Sequence, residues 1–130
     1  MSSDPIYHVA LASDWAHAQS GGEYRVSTRR ARLDEVGYIH ASFAHQVRRL
    51  GAAVYSDAPE PVVVLVIDPT RLTSPVRVEN LDGGTECFPH IYGPIPIDAV
   101  VDVLPARLEG DDFIVPGLAP RCVRNDPQRP

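Results

Sequence analysis

The chain has 130 residues, 44% of them hydrophobic, enough for one domain of ordinary size whose core needs neither disulfides nor a structural metal. Twelve basic residues against seventeen acidic ones give a net charge of −5, which argues against binding along a nucleic-acid backbone, because phosphate neutralisation needs clustered cations. Every basic residue is arginine, which excludes Schiff-base and P-loop lysine chemistry, and Cys87 and Cys122 lack the spacing of a zinc site or a disulfide framework.

Residues 1–5 are polar and have neither the basic nor the apolar region of a signal peptide. The longest apolar run, Val62–Ile67, is far too short to span a bilayer. A cytoplasmic protein with no membrane partner is therefore expected. Ile6–Leu11 is β-rich and predicts a first strand. A helix follows, with Ser13 as its N-cap, Trp15 and Ala18 on one face and Gly21–Gly22 at its end. Glu23–Ser27 is too short and too charged to assign. The run from Thr28 to Val36 carries Arg29, Arg30, Arg32, Asp34 and Glu35 and reads as a solvated loop or helical turn.

Gly37–Ser42 predicts a strand whose alternation puts Ile39 and Ala41 on an apolar face and Tyr38, His40 and Ser42 on the other. Ser42 is expected to cap a helix over Phe43–Tyr55, in which Val47, Leu50 and Val54 recur at helical spacing. Gln46 lies one turn beyond Ser42, so its amide can turn toward the same cleft. After a loop at Asp57–Pro61, Val62–Ile67 predicts a strand buried on both faces, stopped by Asp68 and Pro69. Val76–Glu79 alternates, with Arg77 and Glu79 facing one way, and Asn80–Gly84 is a turn.

The stretch Glu86–Ile95 combines an acid, a histidine and a phenol with apolar packing residues, and a core strand does not need that mixture. Pro89 and Pro94 predict an edge strand or one broken at both ends. Ile97–Leu104 reads as a further strand, with Ala99, Val101 and Val103 facing opposite to Val100 and Leu104. Asp111–Val115 adds a short edge strand. The prolines and arginines from Pro116 onward predict a tail. The expectation is one domain over residues 1–115 and a tail over 116–130. The fold is α+β, a mixed and mostly antiparallel sheet with two helices near the N-terminal half.

Together, Ile6–His8, the Trp15 helix, Gly21 or Gly22 before Tyr24, Gly37–Ser42 with Gln46, Ile67–Asp68, Val78–Glu79 and Phe88–Gly93 resemble the DUF952 family of small bacterial proteins. The resemblance covers roughly residues 6 to 115. That family is grouped remotely with the ADP-ribosyltransferase fold, so the resemblance implies an ADP-ribosyltransferase-like architecture with NAD as co-substrate and no metal. It implies that His8 bonds a ribose hydroxyl, that His40 lies at or near a ring-stacking position on the Gly37–Ser42 strand, and that a late glutamate polarises the departing bond. Glu79 is placed before Glu86 as that acid, and both stay open.

Breaking a nicotinamide–ribose bond builds positive charge on the sugar, which a fixed carboxylate stabilises. The expected catalytic groups are therefore Glu79, Glu86 and His40. The expected ligand-binding groups are His8, Tyr38, Ser42, Gln46, Phe88, His90 and Tyr92, with Phe88 and Tyr92 walling the nicotinamide pocket. The expected partner is a small nucleotide-like ligand; the acceptor stays open. The alternative is a non-enzymatic binding module on the same scaffold. Metal-assisted hydrolysis by His8, His40 and His90 ranks below both, because their spacing is not local.

Overall fold

A computed structural model describes residues 4–28, 31–55, 61–80, 84–110 and 112–118. Arg29, Arg30, Asp111 and Cys122, and most of the segments expected to be a loop at 57–61, a turn at 80–84 and a tail from 116, lie outside the described residues.

Strand β1 (Ile6–Leu11) passes directly into helix α1 (Ala12–Gly21). Ser13 does not cap it. Leu11 holds the cap position, and the first-turn Ala12 N–H donates to Pro61 O at 2.9 Å, so a neighbouring backbone supplies the acceptor expected of Ser13. Trp15 and Ala18 are buried as expected. Gly22 ends the helix at φ 90°, a backbone region open to glycine at little cost.

The stretch left unassigned folds into strands β2 (Glu23–Tyr24) and β3 (Val26–Thr28). The charged run holds strand β4 (Ala31–Arg32) and the one-turn helix α2 (Leu33–Val36). Strand β5 (Ile39–His40) leads through a 3-10 turn, Ala44–Gln46, into helix α3 (Val47–Tyr55). Ser42 is not its cap: its N–H and C=O both pair with Tyr7, at 2.7 and 2.8 Å, which continues the extended chain past the expected helix start. Strand β6 (Val62–Ile67) and strand β7 (Val76–Glu79) follow where expected.

Strand β8 (Phe88–Ile91) is not an edge strand. The sheet order is β5-β8-β7, so Pro89 sits in the central strand. Its carbonyl accepts the Ala41 N–H at 2.9 Å just past the end of β5, so the donor that proline lacks is missed only where that ladder stops. Strand β9 (Ile95–Pro96) pairs with β2. Strand β10 (Val100–Glu109) begins later and runs further than expected, because Ile97–Ala99 form a 3-10 turn, and it pairs with β11 (Asp112–Ile114). A register shift between Val100 and Asp102 breaks the predicted alternation, leaving Val101 half exposed while Val100 and Val103 pack on the same core. Pro116–Leu118, read as tail, makes a turn in which Leu118 packs on the second core.

The largest sheet has the order β1-β6-β10-β11, and every pairing among the named strands is antiparallel. Central β6 separates two cores. Leu65 and Ile67 join Ile6, Ala10 and Trp15 on one side; Val62 and Val64 join Val9, Val47 and Phe113 on the other. The strand is buried on both faces, as its unbroken β-branched run predicts. Each such side chain contributes about 1.5–3 kcal/mol. No helix among the described residues is long and apolar enough to cross a membrane.

Candidate functional site

The β5-β8-β7 sheet turns one face inward. Ile39, Ala41 and Ile91 are fully buried in the first core, and Val76 packs against it. Period-two alternation then forces Tyr38, His40, Phe88, His90, Arg77 and Glu79 to the opposite face. Register sets them against one another: His90 lies opposite both His40 and Arg77, and Glu79 opposite Phe88.

The result is a strip of rings. Tyr38 lies 4.3 Å from His90 and 5.6 Å from Tyr92 between ring centroids. His40 lies 4.8 Å from Phe88 and 5.2 Å from His90. The Arg77 guanidinium stands 5.2 Å over the Tyr92 ring, a cation–π contact. Arg77 was not expected in the site, although its alternation with Glu79 was the signal for it.

Glu79 anchors the strip. One carboxylate oxygen, Oε1, accepts from the Tyr92 hydroxyl at 2.5 Å and from His90 Nδ1 at 3.0 Å. The hydrogen bond from Tyr92, then that from His90, holds the Glu79 carboxyl below the usual carboxylate range, and the same bond raises the Tyr92 phenol. An ionised carboxylate only accepts, so His90 carries its proton on Nδ1. His90 Nε2 is buried without a partner, and so is Ser42 Oγ. Glu79 Oε2 accepts no hydrogen bond among the described residues.

Three expected site residues lie elsewhere. His8 points from β1 into the first core, on the side of Ile6 and Ala10 rather than onto the ring strip. Its Nδ1 donates to His40 O at 2.7 Å and its Nε2 accepts from Tyr24 OH at 3.0 Å, so neither nitrogen is open to a ligand. Burial pulls its pKa down to about 4. Sequence reasoning missed Tyr24 because its segment was unassigned. Glu86 is ion-paired to Arg49 of α3, which lowers its carboxyl below the usual range and leaves it engaged away from the strip. Gln46 is buried as a brace rather than turned to a cleft: Oε1 accepts from Phe43 N at 2.9 Å, and Nε2 donates to Cys87 O at 3.0 Å.

The three histidines named for metal chemistry do not converge, and no group of three His, Cys, Asp or Glu among the described residues is placed to hold a metal ion. Two hollows of about 220 Å³ lie away from the strip, one beside Tyr55, Val62 and Phe113, the other beside Asp14, His17 and Arg32.

A family model described as "Protein of unknown function (DUF952)" matches residues 9–103. No curated protein matches the chain. The chain is similar to the crystal structure of protein CC0527 from Caulobacter crescentus, with a TM-score of 0.68 at 25% identity over 82% of this chain and 90% of that one. It is likewise similar to the solution NMR structure of CC0527, with a TM-score of 0.67 at 25% identity over 88% of this chain and 92% of that one.

Proposed function

The chain belongs to the DUF952 family, and we propose that it uses NAD, transferring or hydrolysing the ADP-ribosyl group at the outer face of β5, β8 and β7. An ADP-ribosyltransferase-like arrangement of its α+β fold is part of the same proposal. The observation that carries the reading is Glu79: an ionised carboxylate fixed by Tyr92 and His90 among three further rings, with Oε2 accepting no hydrogen bond among the described residues.

Loss of nicotinamide from NAD leaves an oxocarbenium-like sugar. A carboxylate held in place stabilises that charge without reorganising, and such fixed electrostatics usually supplies more of the rate enhancement than any other single effect. Glu79 Oε2 accepts a ribose hydroxyl, while Tyr38, Phe88 and Tyr92 offer flat surfaces for an aromatic ring. Glu86 does not take this role, because Arg49 neutralises it.

The test is release of nicotinamide from NAD by the purified chain, with Glu79→Gln as the comparison. Release that Glu79→Gln abolishes supports the reading. Wild-type protein that releases none overturns it.

A second reading is a binding module for a nucleotide-like ligand. It is favoured by the ring contacts themselves, because Tyr38 and His40 pack on His90 and neither of the two hollows is lined by them. Binding of ADP-ribose without turnover of NAD selects it.

A further inference from the structure

The geometry points to His90 as the proton acceptor of the site, and to a hydroxyl, from water or an alcohol, as the group that gives up the proton. This rests on the reading of the face as a ribosyl-transfer site and adds the class of acceptor.

Glu79 fixes the tautomer. Its ionised Oε1 requires the proton of His90 on Nδ1 at 3.0 Å, so the lone pair of the neutral ring lies on Nε2. That nitrogen is buried and unpartnered. Buried polar atoms in native proteins are paired, so one left open at a ring-lined face marks a place for a ligand atom. A second such atom lies on the β5 segment. Ser42 lies two residues beyond His40, which is the register partner of His90, and Ser42 Oγ is also buried without a partner. A hydroxyl suits Nε2, because it has one proton to give to that lone pair.

The charged and titratable groups facing His90 are Glu79 and Arg77 from β7, Tyr38 and His40 from the β5 segment, and Tyr92 beyond its own strand. Tyr38 and His40 flank the imidazole and are only half-buried.

In the transfer step the hydroxyl oxygen bonds to the ribose C1′ and its proton passes to Nε2. The C1′–N bond breaks, and its electron pair leaves with neutral nicotinamide. The imidazolium so formed is paired with Glu79 until it loses its proton to solvent.

Two measurements on the full chain decide this. The first is the imidazole ¹⁵N spectrum of the wild type, which needs no variant to fold. An Nδ1–H tautomer with unprotonated Nε2 at neutral pH is expected, and an Nε2–H tautomer overturns the assignment. The second is nicotinamide release from NAD between pH 5 and 9, with and without methanol, for wild type and His90→Asn. The wild-type rate is expected to rise with pH to a plateau and to yield O-methyl ADP-ribose in methanol. His90→Asn is expected to lose about 100-fold or more in kcat with KM for NAD little changed, to lose the pH-dependent limb, and to regain rate with added imidazole. Release that is unchanged in His90→Asn overturns this inference and leaves the NAD reading standing. A wild-type chain that releases no nicotinamide overturns both.

Discussion

His8 Nε2 lies 3.0 Å from the Tyr24 hydroxyl, and its other ring nitrogen is held by the His40 carbonyl at 2.7 Å. The imidazole is therefore neutral, and it ties the first strand of the large sheet to the ring-bearing strand β5 from beneath. Burial lowers its pKa from 6.5 to about 4. The unfolded chain thus binds a proton on His8 at a pH where the folded chain does not. His8 costs no stability above pH 6.5, and stability falls as pH drops from 6.5 toward 4, by an amount on the order of 3 kcal/mol. Urea unfolding at several pH values is expected to show this slope, and His8→Gln is expected to flatten it. A wild type with no slope in that window contradicts the assignment of a neutral buried ring.

Glu79 and Glu86 are separated by what faces them, and their substitutions are expected to part company. Glu79→Gln replaces the acceptor of both Tyr92 and His90 with an uncharged amide. Nicotinamide release is expected to fall about 100- to 1,000-fold. Glu86→Gln gives up a half-exposed ion pair with Arg49 and weakens a long 3.4 Å hydrogen bond from Gln46 Nε2, and is expected to leave the rate within a few-fold of wild type. Steady-state kinetics with NAD checks both; equal losses from the two changes would remove Glu79 from its role.

What local pattern dictates was legible in the chain, and what long-range pairing dictates was not. The unbroken β-branched run of β6, the Trp15 and Ala18 face of α1 and the alternation of Ile39 and Ala41 against Tyr38 and His40 follow from neighbours in sequence. Which glutamate stands among the rings depends on β7 pairing with β8 so that Glu79 meets Phe88, and no property of either segment alone sets that register. His8 misled for a similar reason. A histidine in an apolar strand looks the same whether it faces a ligand or a buried tyrosine, and its partner Tyr24 comes from a segment too short to assign. Ser42 is a strong cap residue by type, yet pairing with Tyr7 carries the strand past it.

Gln46 joins the turn before α3 to the chain entering β8, and thereby sets where Phe88 meets His40. Its side chain accepts the Phe43 N–H at 2.9 Å and donates to Cys87 O at 3.0 Å, at a position nearly sealed from solvent. Gln46→Leu keeps the volume but strands a backbone donor and acceptor, for a loss of about 1–3 kcal/mol. Hydrogen exchange is expected to show the Phe43 amide losing protection more than amides in β6. Unchanged protection at Phe43 would mean that the brace is not what holds the turn.

Gly51 of α3 has no room for a methyl group, because a Cβ there would run into the Phe113 ring of β11. Glycine inside a helix costs roughly 0.5–1 kcal/mol against alanine through backbone entropy. In an exposed helix, Gly51→Ala would therefore stabilise. Here overpacking opposes that gain, and forcing extra volume into a filled core typically costs about 1–3 kcal/mol. The clash wins, and Gly51→Ala is expected to lower the midpoint of thermal unfolding. The three atoms nearest that Cβ all belong to the Phe113 ring, so Phe113→Leu, which withdraws it, is expected to absorb most of the penalty. The double variant should then be more stable than the sum of the single losses predicts, and a double-mutant cycle by urea unfolding reads that coupling directly. Strict additivity would show that Phe113 does not pack over Gly51 and that the β10–β11 hairpin seats on α3 differently.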